Sequence, residues 1–360
     1  MDKQRTSSRR LFRLAGIALV AIGLGLAGCQ KSETSPSASP GPSGSTNAKV
    51  KVVYIPKNTG NPYFTELIKG FEEAAKALDC EFTTVAPSTA EATSQISFIK
   101  DQIQRKVDVI AISPNSPDAL NAVLDEAKAA GIYVITVDAD LVANEAHRDA
   151  AVLPTDFTKV GESQIELLGS QIGYEGEIAI LSATRDAPNQ NAWIAGMNET
   201  LKNPKYAKMK LVDTVYGDDE PQKSTTEAEG LLAKHPNLRG VVSPTSVGLA
   251  AAAQAFEIAG VYPGGPKAKG PGVALTGLST PNQLKRFVEK GVVTGFQLWS
   301  PKDMGALACN LANGLKKGTI KLGTEFEVPG MGKKSFGPNN VVITGPLVTF
   351  DKNNIAGFDF

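Results

Sequence analysis

From position 49 onward, short apolar runs alternate with stretches whose apolar residues recur at helical spacing. No other property of the chain limits its fold as severely. Strand-period and helix-period segments in repeated succession mark parallel sheets joined by helical crossovers. "KVVYI" (51–55) reads as the first strand. Asn61 then caps a helix that Pro62 opens, and Phe64, Leu67, Ile68, Phe71, Ala75 and Leu78 follow on one face. "EFTTVA" (81–86) is the next strand and 93–104 the next helix. "VDVIAISP" (107–114) is almost continuously apolar, as befits a strand buried on both faces. A helix over 117–130 stops at Gly131, and "IYVITVD" (132–138) follows.

The alternation resumes after "AAVLPTD" (150–156), with helices predicted over 159–172, 190–201, 222–234 and 247–259. Between and after them lie the strands "EIAIL", "KLVDTVY", "RGVVS" and "GVALTG". Two such runs predict an α/β chain of two doubly wound parallel-sheet lobes. Ligands of open parallel sheets sit beyond the carboxyl ends of the strands. That rule points to Lys57, residues 113–115, Asp138, the stretch "LSATRDAPNQNAWI" (181–194), residues 244–246 and Ser279.

Lysine plus arginine equals aspartate plus glutamate at 37 each, so no net field would hold nucleic acid, and none is expected as a partner. The first 29 residues read as a signal peptide. Lys3, Arg5, Arg9, Arg10 and Arg13 precede an apolar stretch shorter than the ~20 residues a span needs. Leu26-Ala27-Gly28-Cys29 resembles the bacterial lipobox, which makes Cys29 the expected lipidation site. Residues 8–13, "SRRLFR", resemble the twin-arginine export motif. Gly23, Gly25 and Gly28 fit G-x-G-x-x-G, but no strand precedes them, so no dinucleotide site is read there. Residues 30–48 form a Ser/Pro/Gly-rich tether. The expected location is the extracytoplasmic side of the cell envelope, held by the lipid. Cys80 and Cys309 sit in apolar settings and read as buried free thiols, with a disulfide between them as the alternative.

"IPKNTGNPYF", "AISPNSPDAL", "VITVDAD", "VYGDD", "SPTSVGLAAAAQA", "GLSTPN" and "FQLWSP" follow one another as they do in the type I periplasmic binding proteins of sugar ABC transporters. The chain resembles that family over nearly all of its mature length. Within it, "NQNAWI", "VYGDDEPQKS" and "SPTSVG" are most similar to the rhamnose-binding proteins, beside the autoinducer-2 receptors. The resemblance implies a three-segment hinge, with crossings near Pro154, Trp299 and 341–346. Lobe 1 would hold 49–154 and 300–342, lobe 2 155–299 and 343–360. It also implies a monomer without cofactor or metal that encloses a small neutral sugar, L-rhamnose first, and delivers it to a membrane permease. Autoinducer-2 or a pentose is the alternative ligand, and a sensor feeding a chemoreceptor or kinase the alternative role.

The resemblance assigns ligand contacts residue by residue. Lys57 matches a lysine that donates to ligand oxygens, and Asp138 a carboxylate able to accept two hydroxyls, with Asp140 competing for that role. Asn189 and Gln190 match an amide-bearing pair; Asn189 stands where the autoinducer-2 receptors carry aspartate, and Ser246 where they carry alanine. Pro244 and Ser246 would add backbone and hydroxyl contacts. Tyr63, Phe64 and Trp299 are the aromatic candidates for a sugar face or a deoxy-sugar methyl, although the helical spacing also explains Phe64 as core. For Trp193, packing and ligand contact remain equally open; Ser279 and Asn115 are second choices. An enzyme is not expected: His147 and His235 lack partners at metal-ligand spacing, and neither a P-loop nor a G-x-S-x-G elbow occurs. A repressor of the lactose type would need a helix-turn-helix where the signal peptide and tether stand.

Overall fold

Alternate side chains of strand β1 (Lys51–Ile55) enter different cores, because successive residues of a strand point to opposite faces. Val52 and Tyr54 join one apolar cluster, and Val53 and Ile55 a second. The computed structural model describes residues 48–360. The expected signal peptide, the lipidation site Cys29 and tether residues 30–47 lie outside the described residues.

The first run gives α1 (Pro62–Leu78), β2 (Glu81–Thr84), α2 (Ile96–Arg105), β3 (Val109–Ile112), α3 (Asn121–Ala129), β4 (Tyr133–Val137) and β5 (Ala150–Leu153). The second gives α4 (Phe157–Ile172), β6 (Glu175–Ser182), α5 (Pro188–Thr200), β7 (Lys208–Tyr216), α6 (Pro221–Lys234), β8 (Leu238–Ser243), α7 (Ser246–Ala259), β9 (Ala274–Gly277), α8 (Pro281–Glu289) and β10 (Phe296–Leu298). The chain ends with α9 (Pro301–Lys317), β11 (Phe326–Val328), β12 (Gly332–Lys334), β13 (Val341–Ile343) and β14 (Val348–Phe350).

One sheet has the order β13-β5-β4-β3-β1-β2 and the other β7-β6-β8-β9, and every pairing within them is parallel. A bridge from Leu278 to Gln297 carries β10 alongside β9, and β14 pairs antiparallel with β10. The chain therefore passes between the two sheets three times, after β5, after β10 and after β13.

The elements differ from expectation mainly at helix starts. The helix read at 117–130 begins only at Asn121, since Ser116 Oγ accepts the Ala119 N–H (3.1 Å) and holds a turn there. Conversely α4 starts before 159, because Asp156 caps it by accepting the Thr158 N–H at 3.0 Å. Helix α9 returns to the first sheet and packs on α1 at unusually close range. A Cβ on Gly70 would stand 1.9 Å from the Lys302 carbonyl oxygen, and one on Gly305 2.0 Å from that of Leu67. Only glycines at both positions let the helix backbones meet. No described helix is long and apolar enough to cross a membrane.

Candidate ligand-binding site

The strand ends of both sheets converge on one small cavity. The nine first-choice contact residues line it: Lys57, Tyr63, Phe64, Asp138, Asn189, Gln190, Pro244, Ser246 and Trp299. Each arrives by a local cause. Asn61 accepts the Tyr63 N–H at 3.1 Å as N-cap of α1, which fixes Tyr63 and Phe64 on the first turn. Lys57 follows β1, and its carbonyl takes the Asn115 amide at 2.9 Å, holding the loop in place. Asp138 follows β4 with φ 69, a left-handed backbone that aspartate tolerates better than most residues. Pro188 opens α5, so Asn189 and Gln190 occupy its first turn. Gln190 Nε2 donates to the Pro244 carbonyl at 2.6 Å, and its Oε1 accepts from Ser182 Oγ at 3.3 Å.

A chain of buried hydrogen bonds runs through the site and across the lobes. Lys57 Nζ donates to Asn189 Oδ1 (2.7 Å), and Asn189 Nδ2 donates to Asp138 Oδ2 (3.2 Å). Tyr63 donates to Asp138 Oδ1 (2.6 Å) and accepts from Trp299 Nε1 (2.8 Å). The Asn189 amide thus stands between a lysine and a carboxylate of the opposite lobe. Ser246 Oγ adds a second link across the lobes, to Asn61 Oδ1 at 3.3 Å.

Burial sets the electrostatics. Lys57 is 4% exposed and Asp138 3%. Burial holds the Lys57 ammonium below its usual range, against the opposing pull of Asp138 and Asp219. Burial also pushes the Asp138 carboxyl up, opposed by Lys57 and by the Tyr63 hydrogen bond. The Tyr63 phenol, buried beside that carboxylate, is raised well above its usual value and so remains a donor.

The cavity also holds residues that the sequence reading did not name as ligand contacts: Asn61, Asp219, Leu278 and Leu298, and with them Thr245, which the carboxyl-end rule reached only as part of 244–246. Asp219 is the one that alters the chemistry. It lies in the turn after β7, where Asp218 and Asp219 both take left-handed backbone at φ 54, and it accepts from Thr245 Oγ1. Burial pushes its carboxyl up, opposed by that hydrogen bond and by Lys57. The carboxyl-end rule, applied to β7 as it was to its neighbours, would have reached this residue.

Asp140 does not compete for the site. It takes a two-bond fork from Arg148, with Nε at 2.7 Å and Nη2 at 2.6 Å, plus the Thr136 hydroxyl at 2.7 Å. Trp193 both packs and lines the cavity: its ring lies 5.4 Å from Phe157 and 5.7 Å from Trp299. Its buried Nε1 has no hydrogen-bond partner among the described residues. Asn115 and Ser279 stay off the cavity; Ser279 Oγ bonds to the Ser246 carbonyl (3.5 Å) and to Gln283 (3.3 Å). The histidines do have carboxylate partners, distant in sequence: His147 with Asp125 (2.8 Å) and His235 with Asp213 (3.0 Å). Neither lines the cavity. Among the described residues, no three His, Cys, Asp or Glu side chains gather where they could hold a metal ion. Cys80 and Cys309 are free and buried. Wider depressions exist, one between α4 and α5, but they are lined by solvated charges such as Lys159 and Glu199.

Two parallel-sheet lobes joined by three crossings, with one polar and aromatic cavity between their strand ends, define a periplasmic binding protein of type I. The chain belongs to that family: residues 52–320 match the periplasmic binding protein domain. A sugar ABC transporter protein from Actinomyces odontolyticus is 37% identical, covering 86% of this chain and 98% of its own, with a TM-score of 0.67. An ABC transporter solute-binding protein from Clostridium phytofermentas, solved with L-rhamnose bound, is 32% identical over the same shares with a TM-score of 0.80. The D-allose-binding periplasmic protein of Escherichia coli is 26% identical over 73% of this chain and 84% of its own length. The protein is thus a member of the sugar ABC transporter substrate-binding proteins, which are extracytoplasmic solute binders rather than enzymes.

Proposed function

We propose that this chain binds a small neutral sugar, L-rhamnose first, in the interlobe cavity and delivers it to an ABC permease. The observation that carries the reading is the Lys57–Asn189–Asp138 bridge, in which a neutral amide joins charged groups across the lobes. Each of these bonds is of the kind a sugar hydroxyl replaces, since a hydroxyl both donates and accepts. A ligand that exchanges them for its own would favour the closed arrangement in proportion to its differential affinity. Lys57, Asn189, Gln190, Asp138 and Ser246 supply directional contacts, the Pro244 carbonyl an acceptor, and Asp219 a second carboxylate. Tyr63, Phe64 and Trp299, with Leu278 and Leu298, supply an apolar wall suited to C–H faces and to the methyl of a 6-deoxy sugar. The rhamnose-bound structure at 32% identity supports the same ligand.

Lipidation at Cys29, after export by the twin-arginine route, would hold the protein as a monomer close to its permease and raise its local concentration. Calorimetry across L-rhamnose, other deoxyhexoses, pentoses and autoinducer-2 tests the ligand: saturable heat with L-rhamnose is expected, and no heat with any monosaccharide would refute the reading. Asp138→Ala is expected to abolish that heat; full affinity in the variant would refute the site.

A further inference from the structure

Away from the cavity, two nucleophilic side chains without a part in sugar binding are buried against each other. Cys80 follows Asp79, the left-handed C-cap of α1, and its N–H donates to the Ala75 carbonyl at 3.0 Å. Cys309 lies on the buried face of α9. Their sulfurs are 3.8 Å apart although 229 positions separate them in the chain. Position and backbone are both constrained here, because Gly70 and Gly305 bring α1 and α9 into backbone contact. The backbones that carry the two sulfurs are therefore held at a fixed separation.

We infer that Cys80 and Cys309 are joined as a disulfide in the exported protein, cross-linking α1 to α9. A disulfide needs its sulfurs about 2.05 Å apart, which side-chain rotation at the two cysteines supplies from contact distance. The oxidant is an external disulfide, small-molecule or protein-borne, of the extracytoplasmic compartment. The Cys80 thiolate attacks one of its sulfurs and expels the other as a thiolate. Cys309, deprotonated, then attacks the Cys80 sulfur of the mixed disulfide and expels the second. Two protein thiols lose two electrons and two protons, and one external disulfide becomes two thiols. Cys80 is 9% exposed against 0% for Cys309, which makes it the sulfur that an oxidant meets first. The Cys309 thiol in contact with it, against the opposing effect of burial and with a smaller contribution from Lys317, favours its thiolate. The cross-link sits at the C-terminal end of a 17-residue helix, about 25 Å along its axis from the Tyr63 end. It therefore braces the first lobe and leaves the bridge between the lobes free to open.

The test refolds the full chain with oxidised and reduced glutathione, digests it without reduction and weighs the peptides. One peptide linking Cys80 to Cys309, two hydrogens lighter than the separate parts, is expected. The melting temperature should fall on adding reductant by about 8 °C, the loop-closure value for a loop of this length. Cys80→Ser and Cys309→Ser should each lose the linked peptide and the reductant sensitivity. Where a variant does not fold, the oxidised and reduced parent protein decide alone. Alkylation of both cysteines as free thiols after oxidative refolding would overturn the inference, as would a link from either to Cys29.

Discussion

Tyr63→Phe removes one oxygen and breaks two buried hydrogen bonds of unequal kind. The bond to Asp138 Oδ1 at 2.6 Å is charge-assisted, and its loss costs about 1.5–3 kcal/mol. The bond from Trp299 Nε1 at 2.8 Å is neutral, but its loss leaves a buried indole N–H without an acceptor, at about 1–3 kcal/mol. Phenylalanine itself buries no polar atom, which offsets part of the sum. A loss of roughly 3 kcal/mol at neutral pH follows, read as a lower urea midpoint at unchanged slope. Tyr54→Phe is the matched control, because Tyr54 makes a single buried bond, to Ser113 Oγ at 2.7 Å. Its loss should cost about 1 kcal/mol. The pH dependence adds a second check. The Tyr63 bond lowers the Asp138 carboxyl, so its stabilisation is present while that carboxyl is ionised and is lost as pH falls through the folded-state value. The gap between parent and Tyr63→Phe should therefore narrow on acidification, whereas the Tyr54→Phe gap should stay constant. Equal losses for the two variants, or a Tyr63→Phe gap indifferent to pH, would refute the bond chain.

Three further outcomes are expected. Gly305→Ala, whose Cβ would stand 2.0 Å from the Leu67 carbonyl oxygen, should cost about 2–3 kcal/mol of unfolding free energy. Gly230→Ala, inside α6 with nothing within 4 Å of the new Cβ, should instead stabilise by about 0.5–1 kcal/mol. Glu166 accepts from Lys205 (2.6 Å), Tyr206 (2.6 Å) and Tyr174 (2.8 Å), which together hold its carboxyl at about 2. A lowered carboxyl contributes stability above its unfolded-state value and loses it as pH falls, so Glu166→Gln should cost up to ~1 kcal/mol at neutral pH, solvent screening included. In thermal melts that cost should vanish by about pH 2. Asp219 has the opposite sign: its raised carboxyl penalises the folded state at neutral pH, and the penalty lifts as pH falls through the folded-state value. Asp219→Asn, which keeps an acceptor for Thr245, should melt no lower than the parent at neutral pH and lose its relative advantage in acid.

Residues whose role follows from local pattern were legible in the sequence, and residues defined by a distant partner were not. The Asn61–Pro62 start of α1 was readable because capping is decided within a few residues. Asn61 has a second part, receiving Ser246 Oγ across the lobes, and nothing local encodes a contact over 185 positions. Asp138 and Asp140 have the same parity at the end of β4, so periodicity alone does not separate them. Arg148, by forking onto Asp140, does. Asp219 shows the limit most sharply. Two consecutive aspartates after a strand read as a solvated turn, and only the left-handed backbone and the Thr245 hydroxyl, from the next strand's end, turn the second inward. The consequence reaches the proposed specificity. Asn189 at the bridge removes a charge relative to the aspartate of the autoinducer-2 receptors, a difference that, through the family resemblance, pointed to a neutral sugar. Asp219 places a second carboxylate on the same cavity, so neutrality at position 189 does not make the site carboxylate-poor. What the amide does instead is connect: it accepts from Lys57 and donates to Asp138 at once, and a carboxylate at that position could not donate.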